Sequence, residues 1–364
     1  MRESYIWRMI LWTFAFTGVV MLVASFDPGF LTAFQGLGVL PVSTGPRVEM
    51  LVPRRTPFSQ GTTTDLYFFE KDGSFTKADS FEEPIQCVTA VDGQLFITFA
   101  HSEDAGVGGP SSILKDGKWV RSVSAPVDFE ILDVVSLKGK VYALGPTVDG
   151  TGIVLGALGE GGWQKVAEPF DVGKAVTYAG AVETEAGIEM VYGCDVMDAA
   201  GRVDAKNAKW CHVTFDGTKW GAAKALGLPA GRTPFVADYE GALAVLLPPA
   251  AKNEPVEIDL VKGDGLEQIA QVPTVDRGAI ARAWLVPLAD QYHVILVGPG
   301  KVWDVPLTGL TPGGPRLLLE VEVATLLRSR IYVGLMAAGA VLLVSLGVAW
   351  LVVRVRNIKG RGEQ

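Results

Sequence analysis

The chain has 364 residues, 49% hydrophobic and 20% charged, which excludes a disordered or low-complexity protein and leaves room for a sizeable core. Its 32 Lys and Arg against 40 Asp and Glu give a net charge of −8, and binding to nucleic acid rests on basic faces. A mean hydropathy of +0.29 is high for so acidic a chain, so the apolar residues are concentrated somewhere.

Residues 1–8 read as a short cytoplasmic segment. Met9 to Phe26 (MILWTFAFTGVVMLVASF) then runs without a charge. That is the short end of what a helix needs to cross roughly 30 Å of hydrocarbon. Tyr5, Trp7 and Trp12 sit near one end, at a depth that suits amphipathic rings. Arg2 and Arg8 before the run and Val23-Ala24-Ser25 near its end also fit a cleavable signal peptide. The run is longer than a usual signal core and lacks a clean A-x-A. Residues 9–26 are therefore read as a transmembrane helix, with a signal peptide as the alternative. Residues 27–45 are read as a linker.

The stretch 46–325 shows no long 3.6-residue apolar period. Short alternating segments separated by Gly, Asp and Pro dominate, which is the signal of strands and turns. The turns recur as KDGSF ending at Phe75, KDGKW at Trp119, GEGGW at Trp163 and FDGTKW at Trp220, with a weaker KGDGLEQ at 262–268. Asp-Gly suits tight hairpins because both central residues can take positive φ. The aromatics Phe75, Trp119, Trp163 and Trp220 are read as structural, each opening a return strand and packing on a neighbouring sheet.

These outer hairpins start near residues 64, 111, 152, 208, 255 and 301, at spacings of 47, 41, 56, 47 and 46. Each of the last five follows an inner hairpin, such as IQCVTAVDGQLFITFA or ARAWLVPLADQYHVILVG. Four strands every 40–50 residues is the period of a propeller blade. The expected fold is all-β, a β-propeller of six blades, with five as the alternative because five inner hairpins are complete. RVEMLVP (47–53) and RLLLEVEV (316–323) are the candidate ring-closing strands.

Over roughly residues 45–325 the repeat resembles that of membrane-anchored β-propeller proteins with D-G-x-W-type blades. The likeness is one of architecture. The Asp-box of sialidase-type propellers is not met, since Asp116-Gly117 and Asp216-Gly217 are adjacent, and Trp303-Asp304 is a single Trp-Asp pair and not a repeat.

Ile331 to Val353 is a second uncharged run, long enough to cross a bilayer with some tilt, with Tyr332 and Trp350 near its ends. Residues 354–364 form a basic tail. Arg2 and Arg8 against Glu3 leave the first eight residues at +1, and Arg354, Arg356, Lys359 and Arg361 against Glu363 leave the tail at +3, so the stretch between carries −12. Lys and Arg near a span favour the cytoplasm. Both ends are therefore expected in the cytoplasm. The propeller is expected on the extracytoplasmic side of a cell membrane, periplasmic if the membrane is a bacterial inner one.

Cys194 and Cys211 bracket a polar loop between segments that read as one hairpin, and are the candidate disulfide in an oxidising compartment. Cys87 is left over and reads as a core residue. His101 lies in a loop with Glu103 and Asp104; His212 and His293 lie in expected strands. Three His and three Cys without C-x-x-C do not make a zinc cage. Asp195, Asp198 and Asp204 lack calcium-loop spacing. No nucleophile elbow, P-loop or H-E-x-x-H occurs. No catalytic, metal or cofactor-binding residue is assigned, and no cofactor is expected. The partners expected are the bilayer and a membrane or extracytoplasmic protein, not nucleic acid. The expected function is a non-catalytic binding or scaffold subunit of a membrane complex. The alternative is an extracytoplasmic propeller enzyme acting on a glycan, lactone or peptide.

Overall fold

The computed structural model describes residues 39–320 except 56–61, 83–84, 100–110, 116–117, 123–128, 130, 148–150, 160–161, 173–176, 195–208, 230–231, 252–253, 264, 276–279, 281 and 299. These residues belong to one compact unit. Every regular element among them is a strand, and no helix there is long and apolar enough to cross a membrane. The apolar runs 9–26 and 331–353 and the tail 354–364 lie outside the described residues.

Six sheets follow one another along the chain, each antiparallel and hydrogen-bonded in chain order. Blade 1 holds β1 (Leu40–Ser43), β2 (Arg47–Arg55), β3 (Thr62–Glu70) and β4 (Phe75–Phe81). Blade 2 holds β5 (Ile85–Val91), β6 (Gln94–Phe99), β7 (Ser111–Lys115) and β8 (Lys118–Ser122). Blade 3 holds β9 (Asp133–Leu137), β10 (Lys140–Pro146), β11 (Gly152–Gly159) and an outer strand in two pieces, β12 (Gly162–Lys165) and β13 (Phe170–Asp171). Blade 4 holds β14 (Thr177–Thr184), β15 (Gly187–Cys194), β16 (Lys209–Phe215) and β17 (Lys224–Leu226). Blade 5 holds β18 (Phe235–Tyr239), β19 (Ala242–Leu247), β20 (Val256–Lys262) and β21 (Gly265–Val272). Blade 6 holds β22 (Arg282–Leu288), β23 (Gln291–Gly298), β24 (Lys301–Thr308) and a second split outer strand, β25 (Thr311–Pro312) and β26 (Arg316–Glu320). The fold is a six-bladed β-propeller.

The third strands begin at residues 62, 111, 152, 209, 256 and 301, within two residues of the expected outer hairpins. Two expectations are corrected. The sixth inner hairpin exists: it is β1–β2, and β1 lies inside the stretch 27–45 read as linker. Four residues with a proline second show no alternation to read. The ring is also not closed by a shared strand. Residues 47–53 are the second strand of blade 1 and 316–320 the outer edge of blade 6, so each blade is built from its own consecutive strands.

The core is six layers, one at each seam between neighbouring blades. Leu51, Leu66, Leu95 and Ile97 join blades 1 and 2. Phe96, Val134 and Ala143 join blades 2 and 3, and Leu155, Ile188 and Phe215 join blades 3 and 4. Val191, Trp210 and Leu243 join blades 4 and 5, and Ile258, Val272 and Leu296 join blades 5 and 6. Met50, Phe69, Ile295 and Val297 join blades 6 and 1. Fully burying one such side chain stabilises by about 1.5–3 kcal/mol over leaving it in water.

The outer-strand aromatics stand at these seams, each against the preceding blade. Phe75 stacks on Tyr67 at 4.8 Å within the layer shared with blade 6. Trp119 meets Phe81 of blade 1 at 4.9 Å, Trp163 meets Phe96 of blade 2 at 6.5 Å, and Trp220 meets Phe170 of blade 3 at 5.5 Å. In blade 5 the same turn supplies Leu266, which explains the weaker repeat there.

The turns differ from the expected chemistry. The type I′ pattern, positive φ at both central residues, belongs to inner turns: Asp92-Gly93 (48° and 72°), Lys138-Gly139 (53° and 75°) and Glu240-Gly241 (51° and 79°). At the outer Asp72-Gly73 and Asp216-Gly217 only the glycine is left-handed, and the aspartate acts through its side chain. Asp72 Oδ1 accepts the Ser74 N–H at 2.7 Å, and Asp216 Oδ1 accepts the Thr218 and Lys219 N–H groups at 2.8 and 2.9 Å. Those bonds, led by the Thr218 hydroxyl, hold the Asp216 carboxyl down to about 2.

Candidate functional site

The inner strands β1, β5, β9, β14, β18 and β22 line a central channel of about 1080 Å3. Their far ends meet as a collar of turns that runs all the way round. The Lys138 N–H donates to Glu183 Oε1 (2.9 Å), Glu185 N–H to the Gly241 carbonyl (2.8 Å), Glu240 N–H to Tyr292 Oη (2.8 Å) and Ala289 N–H to the Gly45 carbonyl (3.3 Å). The two remaining junctions touch by packing. A Cβ on Gly93 would stand 3.4 Å from the Thr44 carbonyl oxygen, and one on Gly139 would stand 2.9 Å from Asp92 Oδ1.

Near the other end of the channel the wall is stitched from blade to blade. Gln86 Nε2 donates to the Ile131 carbonyl, and Cys87 Sγ to the Leu132 carbonyl at 3.3 Å. Asp133, first residue of β9, reaches blade 4, where its Oδ2 accepts Tyr178 Oη (2.8 Å) and the Ala181 N–H (3.2 Å). Its Oδ1 accepts the Val134 N–H at 2.8 Å. Burial pushes the Asp133 carboxyl up to about 6, partly offset by those bonds. Burial also raises the Tyr178 hydroxyl and the Cys87 thiol, with the Asp133 charge adding to both. Cys87 is a free, buried thiol and too hard to ionise to act as a nucleophile near neutrality.

Arg282, Trp284 and Phe235 also border the channel, the two rings stacked at 6.4 Å. Glu183, Glu185 and Asp238 gather where β14 and β18 end. Burial raises Asp238 first, and the charges of those two glutamates raise it further.

A second polar cluster lies at the seam of blades 6 and 1. His293 Nδ1 and Asp304 Oδ1 are 2.7 Å apart, and Asp304 Oδ2 pairs with Arg316 Nη2 at 3.1 Å. Arg316 Nη1 donates to the Gly73 carbonyl of blade 1 at 3.1 Å, and its guanidinium lies 4.9 Å from the centre of the Phe69 ring. A cavity of about 270 Å3 opens beside these groups.

Of the residues singled out in the sequence, Cys194 ends β15 opposite Lys209 and Cys211 stands in β16 opposite Tyr192, so the two lie two steps apart along one ladder. His212 is buried in β16, and His293 is the seam histidine. His101, Asp195, Asp198 and Asp204 lie outside the described residues. Among the described residues no three His, Cys, Asp or Glu are grouped to hold a metal ion. Sequence reading missed Asp133, Tyr178, Asp304 and Arg316. One signal was present: Cys87 and Asp133 stand at the same register, five residues before their inner turns, and Tyr178 lies one bulge beyond that register in blade 4.

No family model matches the chain, and no curated protein does. Solved structures resemble it in fold. A protein of unknown function from Dyadobacter fermentans aligns over 77% of this chain and 92% of its own at 10% identity and a TM-score of 0.47. A candidate 6-phosphogluconolactonase from Bacteroides uniformis aligns over 74% and 83% at 14% identity and a TM-score of 0.48. The β-propeller domain of the Trilobed protease from Pyrococcus furiosus aligns over 78% and 85% at 11% identity and a TM-score of 0.41. The blade count rests on the sheets of this chain and not on those likenesses.

Proposed function

We propose that this protein is a membrane-tethered, extracytoplasmic β-propeller that binds a protein partner as a non-catalytic scaffold subunit. The observation that carries the reading is how the connections are sorted. In an up-and-down blade, the turns joining first to second and third to fourth strands fall on one side of the disc. The second-to-third connections and the links between blades fall on the other. The first side is the interlocked collar and its short outer turns. The other collects the two long polar segments, 101–110 between β6 and β7 and 195–208 between β15 and β16. A disc with its long polar segments on one side suits recognition. The uncharged runs 9–26 and 331–353 and the charge asymmetry support the tether and an exported propeller.

The test replaces 101–110 or 195–208 with a short Gly-Ser turn in the full chain purified in mild detergent. Each variant should fold and lose a co-purifying protein. Retention of every partner by both variants contradicts the reading. A Cys194–Cys211 disulfide belongs to the same proposal, supported by the β15–β16 register and by export to an oxidising compartment.

A second reading, an extracytoplasmic enzyme acting on a glycan, lactone or peptide, is favoured by one observation. The channel is of ligand size and carries a carboxyl held near 6. Against it, both oxygens of Asp133 already accept hydrogen bonds from the protein. Hydrolysis by the exported domain that disappears in Asp133→Asn would favour this second reading.

A further inference from the structure

We infer that the seam between blades 6 and 1 is a releasable latch with Arg316 as its pin. The other five seams are crossed by the chain itself, through the segments that join β4 to β5, β8 to β9, β13 to β14, β17 to β18 and β21 to β22. Among the described residues the sixth is crossed by no linker, and no strand is exchanged across it. Its inner part is an apolar layer of Val48, Met50, Ile295 and Val297 and is not expected to part. Its outer part sets a polar cluster beside the partly buried Phe75, Leu318 and Leu319. Arg316 on β26 grips the Asp304 carboxylate of its own blade and reaches over the Phe69 ring to the Gly73 carbonyl of blade 1.

Three features make this a pin rather than core packing. The Asp304 side chain is 2% exposed but that of Arg316 is 42% exposed, so the anchor is buried and the pin faces water. The cavity of about 270 Å3 beside it leaves the guanidinium room to swing without repacking a neighbour. The seat is also shaped for it. Residue 73 has φ of 87°, a left-handed backbone that favours glycine, and a Cβ there would fall where the Arg316 guanidinium now sits, so the pin would have to move aside. Two further polar contacts across the seam are slight: the exposed Lys71–Asp290 pair at 3.0 Å and the Ala289 to Gly45 bond.

β26 is the outer edge of blade 6 and runs directly into residues 321–364. A pull or a docking event on that segment acts first on the strand that carries the pin. Release would free the outer strands of blade 6 from the β3–β4 turn while the channel wall stays whole. The latch does not rest on the proposed function; its link to the C-terminal segment uses only continuity of the chain.

Hydrogen exchange read by mass spectrometry on the full chain in mild detergent tests it. In Arg316→Gln, exchange should quicken about ten-fold in β24, β26 and residues 69–75, with β10, β11 and β15 unchanged. Asp304→Asn should do the same. Arg316→Lys should fall between, because one ammonium cannot hold both the carboxylate and the carbonyl as the fork does. Unchanged exchange in Arg316→Gln, or an equal rise in all six blades, overturns the inference. The equal rise would make Arg316 a contributor to overall stability only.

Discussion

Between blades 3 and 4 the chain continues from one blade to the next, and the seam's layer is apolar: Leu155, Ile188 and Phe215 are fully buried, Phe170 and Trp220 close its edge, and Asp133 adds a stitch to Tyr178 and Ala181 at the channel side. Between blades 6 and 1 no described segment of the chain runs. There the apolar layer is supplemented by a buried carboxylate, a histidine and an arginine drawn from three strands. Where a linker joins two blades, it holds them beside the packing and the bonds between their inner strands and turns. Where it does not, directional bonds fix the register in which the first and last blades meet. A shared strand would serve the same end, and this ring does without one.

Four substitutions or treatments sharpen that contrast. Phe215→Ala should be the most damaging, since it empties a fully buried ring site in the apolar layer between blades 3 and 4. The loss is about 4 kcal/mol by denaturant titration. Reducing the proposed Cys194–Cys211 bridge should cost about 3 kcal/mol in the chain-entropy model, and mass mapping without reductant that finds both thiols free removes that prediction.

Asp133→Asn tests the blade 3–4 stitch by its pH dependence. The folded carboxyl titrates near 6, above its unfolded value near 3.9. The stability it lends is therefore complete below about pH 4 and is lost as pH rises through 6. The amide keeps the shape and carries no charge. The amide's NH2 meets a donor that an Asp133 oxygen accepted, so the variant should be less stable than the parent at pH 4, and the difference should shift in the variant's favour by up to about 3 kcal/mol between pH 4 and pH 8. A difference that does not change with pH contradicts the assignment. Trp119→Phe should have the smallest effect, about 1 kcal/mol. It keeps a ring against Phe81 and loses only indole volume and the exposed bond from Nε1 to Asp79 Oδ2 at 2.9 Å.

The same contrast explains what the sequence could reveal. Blades 2 to 6 announce themselves because each hairpin pair is local: turn, alternation and aromatic recur within about 45 residues. Blade 1 was half hidden because β1 is four residues long and begins Leu40-Pro41. The channel stitch is legible only after the blades are aligned by their inner strands. The seam cluster is not legible at all, since Arg316 and Gly73 are 243 residues apart and nothing in a repeat says what its two ends must do to each other. A histidine in YHVILV and a Trp-Asp pair at 303–304 look like ordinary strand residues until the ring brings Phe69 and Gly73 beside them.

A zero-length carbodiimide cross-link on the full chain tests whether blades 1 and 6 meet face to face without a shared strand. Lys71 Nζ and Asp290 Oδ1 are 3.0 Å apart across the seam, and Lys165 and Glu168, also 3.0 Å apart, lie on the outer strand region of blade 3 as an internal control. Peptide mapping should recover both an amide joining Lys71 to Asp290 and the control link. Recovery of the control without any product joining residue 71 to residue 290 would contradict the closed six-bladed ring.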